Sequence, residues 1–173
     1  MDKTDVLIEN TILEKYRAET AKIQEDSEHS GKGHYNASER WDLVNLRLGI
    51  STAIIALIAS ISTFSGLQAI GGYLAILVAT ATTVMAFLKP GDRASIHARC
   101  GGEYLALRNR ARIFHEIISL TCKTNEELHA RFEELVTKRD NLNVFSPRIP
   151  RHAYEKAKKS IADGESKYTN SGT

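Results

Sequence analysis

The chain has 173 residues, with 23 Lys and Arg against 21 Asp and Glu, and a formal net charge of +2. Residues 48–88 contain no Asp, Glu, Lys, Arg or His, so every charged side chain is confined to the two flanks. That division excludes an ordinary soluble enzyme, and the length leaves little room for a separate catalytic domain beside a membrane segment.

The start, Met1 to Asn10, is acidic and has no basic stretch leading into an apolar run, so no cleavable signal peptide is expected. From Asp5 to Glu28, the apolar residues Val6, Leu7, Ile8, Ile12, Leu13, Tyr16 and Ile23 alternate with charged ones, a helical pattern with one apolar side. Ser27 to Ala37, SEHSGKGHYNA, reads as a break. Ser38 followed by Asp42 resembles an N-cap arrangement that starts a new helix running into the apolar stretch.

A bilayer crossing takes roughly 20 apolar residues, so the uncharged stretch suits two crossings and a turn. The expected spans are 46–64 and 72–88, a transmembrane hairpin within 46–88, with Gly66, Gly71 and Gly72 supplying backbone freedom in the turn Ser65 to Gly72. Arg40 and Arg47 precede the first span while Lys89, Arg93 and Arg99 follow the second, and the turn has no basic residue. This places both termini in the cytosol. Trp41 and Tyr73 are candidates for the two interfaces. The alternative, a buried hairpin in a soluble all-α protein, would normally show a charged face, and neither helix has one.

Gly49, Ala53, Ala56, Ser60 and Thr63 form one stripe of small residues, and Gly71, Ala75, Ala79 and Thr83 another. Such stripes let helices approach closely in lipid, so they predict association within the hairpin and between chains as a homo-oligomer. The stretch also holds Ser51, Thr52, Ser60, Ser62, Thr63, Ser65, Thr80, Thr82 and Thr83. These hydroxyls either line a wet pore or bond back to the preceding turn.

Lys89-Pro90-Gly91 closes the second span. Asp92 is the expected N-cap of a helix from Arg93 to about Thr121, with Leu105, Ile113, Ile117 and Leu120 as its apolar side. Thr124 and Glu127 resemble a capping box for a helix to about Leu142, with apolar Leu128, Phe132, Leu135 and Val136. Ser146 to Pro150 is an extended break before a last short helix, His152 to about Ala162. No strand pattern competes, so the fold class is an all-α membrane protein. Its parts are N-terminal cytosolic helices (1–45), the hairpin (46–88), C-terminal cytosolic helices (89–162) that bundle with the N-terminal ones, and a flexible tail (163–173). Residues 1–47 carry net −3 and residues 89–173 net +5. The basic flank can meet anionic lipid, a nucleotide phosphate or the acidic flank of the same or another chain. Cys100 and Cys122 are too few for a disulfide framework and read as reduced thiols.

No phosphate loop, paired-carboxylate motif or nucleophile signature is present, so no enzyme and no cofactor is expected. His97 and Cys100 lie one turn apart, but without further ligands nearby they do not make a metal site. The densest constellation is His97, Gly101, Tyr104, Arg108 and Arg112 along one face of the helix after the membrane. Two arginines one turn apart can grip a phosphate, and a tyrosine beside them can stack on a base, which makes His97, Tyr104, Arg108 and Arg112 the candidate ligand-binding residues. The alternative is structural: the arginines pair with carboxylates of neighbouring helices and the glycine permits close contact.

The order of elements, the helix ASIHARCGGEYLALRNRARIFHEI, the Pro147-Arg148-Ile149-Pro150 break and the AYEKA helix together resemble the SLATT family of bacterial two-transmembrane effectors. The resemblance spans roughly Glu14 to Ala162 and rests chiefly on His97, Gly101, Tyr104, Leu107, Arg108, Arg112, Pro147, Ile149, Pro150 and Tyr154. It implies the killing arm of an anti-phage system in which a nucleotidyltransferase makes a cyclic oligonucleotide messenger. On that resemblance the chain is expected in the bacterial inner membrane as a multi-pass, pore-forming effector. Its partners would be the lipid bilayer, further copies of itself, and either a cyclic oligonucleotide or a separate nucleotide-sensing protein, with no nucleic acid. Some relatives carry a fused sensor or enzyme domain and this chain has neither. The competing expectation is a non-conducting membrane adaptor that docks a partner through its basic helices.

Overall fold

The structure, a computed structural model, describes residues 3–122 and 124–165. Helices α1 (Lys3–Phe64), α2 (Gln68–Leu88) and α3 (Pro90–Ile113) are followed by a π-helical turn (Phe114–Ile118) and a short α4 (Ser119–Thr121). Then come α5 (Asn125–Phe145) and α6 (Arg151–Ala162), with no strand among the described residues. Residues 1–36 and 97–173 form one compact unit and residues 37–96 another.

In the first unit both flanks share a core of Ile23 from α1, Tyr104, Leu107 and Ala111 from α3, Phe114 from the π turn, and Leu128, Leu135 and Leu142 from α5. Leu13, Tyr16, Phe132 and Val136 pack against it. The side chains of Val6, Leu7 and Ile8, expected on the same apolar side, and the tail 166–173 lie outside the described residues.

The break expected between Ser27 and Ala37 does not exist, and Ser38 is a buried mid-helix residue, not an N-cap: α1 runs through without interruption. Tertiary packing overrides the local preference for a turn. Leu13, Tyr16, Thr20, Ile23, Ser27, Ser30 and His34 fall at heptad spacing on the covered face, so the segment continues the seam of the apolar part before it. Gly31 and Gly33 serve that seam. A Cβ at Gly31 would stand 3.0 Å from Leu105 Cδ2 and 3.3 Å from the Gly101 carbonyl, and one at Gly33 would stand 3.1 Å from Ile149 Cγ2.

In α3 the heptad positions Ala94, His97, Gly101, Tyr104, Arg108 and Ala111 are covered. The expected apolar side is corrected here: Leu105 is half-buried, but Ile113, Ile117 and Leu120 are exposed. Phe114 continues the covered period of Leu107 and Ala111, and the π turn that follows, in which the Ser119 N–H reaches back to the Phe114 carbonyl, adds a residue and brings Ser119 to the covered side. The start also differs. Lys89 adopts a left-handed conformation (φ 44°) and its N–H bonds to the Met85 carbonyl at 2.9 Å, ending α2. Pro90 then occupies the first turn of α3, where its missing N–H costs nothing, and Asp92 lies inside that turn and not before it.

Thr124 caps α5, its Oγ1 accepting the Glu127 N–H at 3.2 Å, and the chain is extended at Ser146 and Pro150 before α6.

In the second unit the connection is shorter than expected. Of the three glycines expected in the turn, Gly66 alone takes a positive φ, 82°; Gly71 and Gly72 lie within α2, which starts at Gln68. Gly71 is buried because a Cβ there would collide with Thr63 Oγ1 and come within 3.0 Å of the Ala59 carbonyl, so this glycine allows a close approach and not a turn. Farther along, Met85 lies nearest Gly49, Asn45 lies against Gly91, and the Arg93 guanidinium sits 4.9 Å over the Trp41 ring.

Candidate functional site

The inward seams of α1 and α3 bring together polar groups far apart in sequence. At one end His34 and His97, both buried, place Nδ1 against Nδ1 at 2.9 Å. One ring must donate its N–H to the lone pair of the other, so the two cannot both be cations in this geometry. Burial, reinforced by the neighbouring His97, lowers the His34 pKa to about 4. The Tyr104 ring stacks on His34 with centroids 5.5 Å apart, and its hydroxyl donates to Asn143 Oδ1 at 2.9 Å. Burial pushes the Tyr104 phenol up from its ordinary value. The four residues form a chain from α1 and α3 across to α5.

Next along the seam, a Cβ at Gly101 would stand 3.1 Å from the Tyr35 ring and 3.2 Å from the Gly31 carbonyl, so the α1 and α3 backbones touch there. Arg108 Nε then donates to Glu28 Oε2 at 3.2 Å, with only 13% and 15% of the two side chains exposed. Arg112 turns outward and pairs with Glu116 of the π turn at 2.8 Å. Thus His97, Gly101, Tyr104 and Arg108 lie on one covered face with specific partners, while Arg112 is set apart from them. Two arginine forks open to one phosphate are not what this arrangement presents.

His34, Glu28 and Asn143 were not singled out in the sequence. The signal for the first two was the continuing heptad through Ser27, Ser30 and His34, masked by Gly and Ser that look like a break. Cys100 is a buried free thiol and Cys122 a partly covered one, whose pKa is raised chiefly by burial. No group of three or more His, Cys, Asp or Glu side chains is arranged to hold a metal among the described residues.

The second unit is built the other way round. Helices α1 and α2 each contain an 18-residue window of mean hydropathy 1.8, of which only 6% is buried. Both are long and apolar enough to span a membrane. Ile54, Leu57, Ile61, Phe64, Tyr73, Ile76, Leu77 and Phe87 all stand exposed, between 53% and 92%. Of the two small-residue stripes, Gly71 is buried and Gly49 and Ala56 are half-covered, whereas Ala53, Ser60, Thr63, Ala75, Ala79 and Thr83 are exposed. Five hydroxyls bond back along their own helices: Ser60 to the Ala56 carbonyl, Thr63 to Ala59 and Thr80 to Ile76, each at 2.9 Å, Thr83 to Ala79 at 2.8 Å, and Thr82 to Val78. This satisfies the donors without water and makes them compatible with lipid.

No family model, curated protein or solved structure matches this chain.

Proposed function

We propose that this chain is a membrane effector of bacterial anti-phage defence that oligomerises and forms a pore or channel in the inner membrane under control of a cyclic nucleotide signal. The observation that carries the membrane part is the apolar band of residues 46–88, long enough to cross twice and almost wholly uncovered by the chain itself. In water such a surface would drive aggregation; in lipid it is the ordinary outward face of a hairpin. Arg93 over Trp41 supports an interface at the charged end, because that pair suits the headgroup layer and lies beside the basic residues that mark the cytosolic side. The exposed small residues Ala53, Ala75, Ala79 and Thr83 support packing against further copies. The defence role and the nucleotide signal rest on the SLATT resemblance alone.

A second reading, a non-conducting adaptor, is favoured by the back-bonded hydroxyls, since their protons are committed to their own helices. Dye release from liposomes separates the two. With purified protein reconstituted and a panel of cyclic di- and trinucleotides added, the effector reading expects release triggered by one of them. Vesicles that stay sealed under the whole panel contradict it and leave the adaptor.

A further inference from the structure

A polar cleft opens where α1, α3, α5 and α6 converge in the unit formed by residues 1–36 and 97–173, with a cavity volume of ≈ 210 Å³. Ser27 is 1% exposed, yet its Oγ has no hydrogen-bond partner; Thr20 and Ser119, by contrast, bond back to the carbonyls four residues earlier. His29 Nδ1, on the same wall, is likewise buried and unpartnered. An unsatisfied buried polar group costs about 1–3 kcal/mol, so two in one cleft point to a ligand that engages them.

The rest of the wall defines the ligand's chemistry. Asp26 is its one acidic side chain and Arg139 its one permanent cation. A divalent cation would want several carboxylates, so Asp26 alone does not make a metal site. Asp140 holds Arg139 through Nε at 3.1 Å and Nη2 at 3.0 Å, which orients the guanidinium and leaves Nη1 for a further acceptor. Asn143 accepts the Tyr104 hydroxyl on its Oδ1, which turns its amide N–H groups toward the cleft. Tyr154 and His29 lie with ring centroids 6.3 Å apart and planes 36° apart, offering aromatic surface to a flat molecule. The space equals roughly seven water molecules at about 30 Å³ each, enough for one heterocyclic base but not for a dinucleotide.

From this set we infer that the cleft binds one nucleotide unit of a phosphorylated ligand, its base N–H groups on Asp26 and its phosphate on Arg139, with Ser27 and His29 bonding polar atoms between them. The inference deepens the nucleotide-controlled reading above and rests on it for its biological meaning. It also moves the sensing site away from Arg108 and Arg112, which already hold Glu28 and Glu116. Tyr104 lines the cleft, stacks on His34, and through it reaches His97, one residue from where the chain leaves the apolar unit. Occupancy would therefore act on a chain of groups that has a sequence route to the spans.

The test is calorimetric titration of the full chain in lipid nanodiscs with AMP, GMP, CMP, UMP, cyclic dinucleotides, adenosine, guanosine and inorganic phosphate. At least one nucleotide should bind, and its nucleoside and free phosphate should bind at least about tenfold more weakly, since each lacks one charged contact. Arg139→Gln and Asp26→Asn should each weaken binding by a similar factor. Ser27→Ala should weaken binding while leaving the ligand-free unfolding temperature unchanged or higher, because it removes an unsatisfied group. No binding of any nucleotide up to about 1 mM, a weak limit of affinity, overturns the proposal. So does binding that ignores Arg139→Gln and Asp26→Asn, or a Ser27→Ala protein that loses ligand-free stability. Nucleotide binding without dye release would overturn the pore and keep the site; nucleotide-triggered release unchanged in Arg139→Gln would overturn the site and keep the pore.

Discussion

Helix α1 belongs to both compact units, and its two parts are built on inverted rules. Before Ala37 the covered positions are Thr20, Ile23, Ser27 and His34, a mixed seam with charged residues such as Glu25 and Asp26 outside. Within the apolar stretch, residues 46–64, exposed positions include Ile50, Ile54, Leu57 and Ile61, and the buried one is the small Ala59. A helix in water hides apolar side chains and must pair any polar group it buries. A helix in lipid gains nothing from hiding leucine, so only small residues earn the contact with a neighbouring helix. On the proposed reading one backbone element meets two solvents, and the difference can be broken or sharpened experimentally.

The largest effect is expected from charge in the apolar band. Leu57 is 62% exposed, so in a water-soluble fold Leu57→Lys would be harmless or would aid solubility. In a membrane span it should cost about 2.5–3.5 kcal/mol of insertion free energy, read as loss of the protein from the membrane fraction. A membrane fraction unchanged by Leu57→Lys would erase the distinction between the two units.

Nearly as large is the contrast between two arginines one turn apart. Arg108→Ala leaves Glu28 buried without its partner and should destabilise the first unit by roughly 3 kcal/mol, as for other broken buried pairs. Arg112→Ala loses a half-exposed pair within the same helical stretch and should cost under about 1 kcal/mol. Chemical denaturation of both variants, in detergent, measures the difference directly.

Acid should weaken the first unit specifically. The His34 pKa falls from 6.5 in the unfolded chain to about 4 in the fold, so the unfolded state binds the extra proton first. The contribution of neutral His34 is complete above pH 6.5 and is lost as pH falls toward 4, roughly 3 kcal/mol over the whole window. His97 and Tyr104 face this ring, and the informative comparison is with His34→Gln, whose stability should fall less steeply between those pH values.

The smallest effect concerns neighbouring glycines in α2. Gly71→Ala would drive a Cβ into Thr63 and the Ala59 carbonyl and should loosen the contact between the two spans by about 1–3 kcal/mol. Gly72→Ala meets nothing within 4 Å and should be neutral or mildly stabilising as a better helix former. Thermal unfolding in one detergent ranks them.

Much of this architecture is legible in the sequence because each unit has its own residue pattern. The uncharged stretch marks the two exposed apolar helical segments, Lys89-Pro90 marks the end of α2, and Thr124 with Glu127 marks the start of α5. What misleads is residue type without partner. Gly31, Gly33 and Gly71 look like punctuation, yet each sits where another chain segment presses on its Cα, a property set by contacts distant in sequence. Ile113, Ile117 and Leu120 look like a core face, but the covered period through Tyr104, Leu107, Ala111 and Phe114 leaves them on the other side of the helix. The polar constellation was visible on α3 as His97, Tyr104 and Arg108, while its other half, Glu28, His34 and Asn143, becomes visible only when α1 and α5 are laid beside it.

The central claim is that residues 46–88 cross a bilayer twice with their connection on the far side. Ser65→Cys introduced into the connection, with native Cys100 and Cys122 as internal references, can be probed in intact cells with a membrane-impermeant maleimide. The account predicts labelling of the new cysteine from outside, and labelling at Cys100 or Cys122 only after the cells are opened and the fold relaxed by denaturant. A Ser65→Cys protein that stays unlabelled in intact cells but reacts on lysis, or one recovered in the soluble fraction, would contradict it.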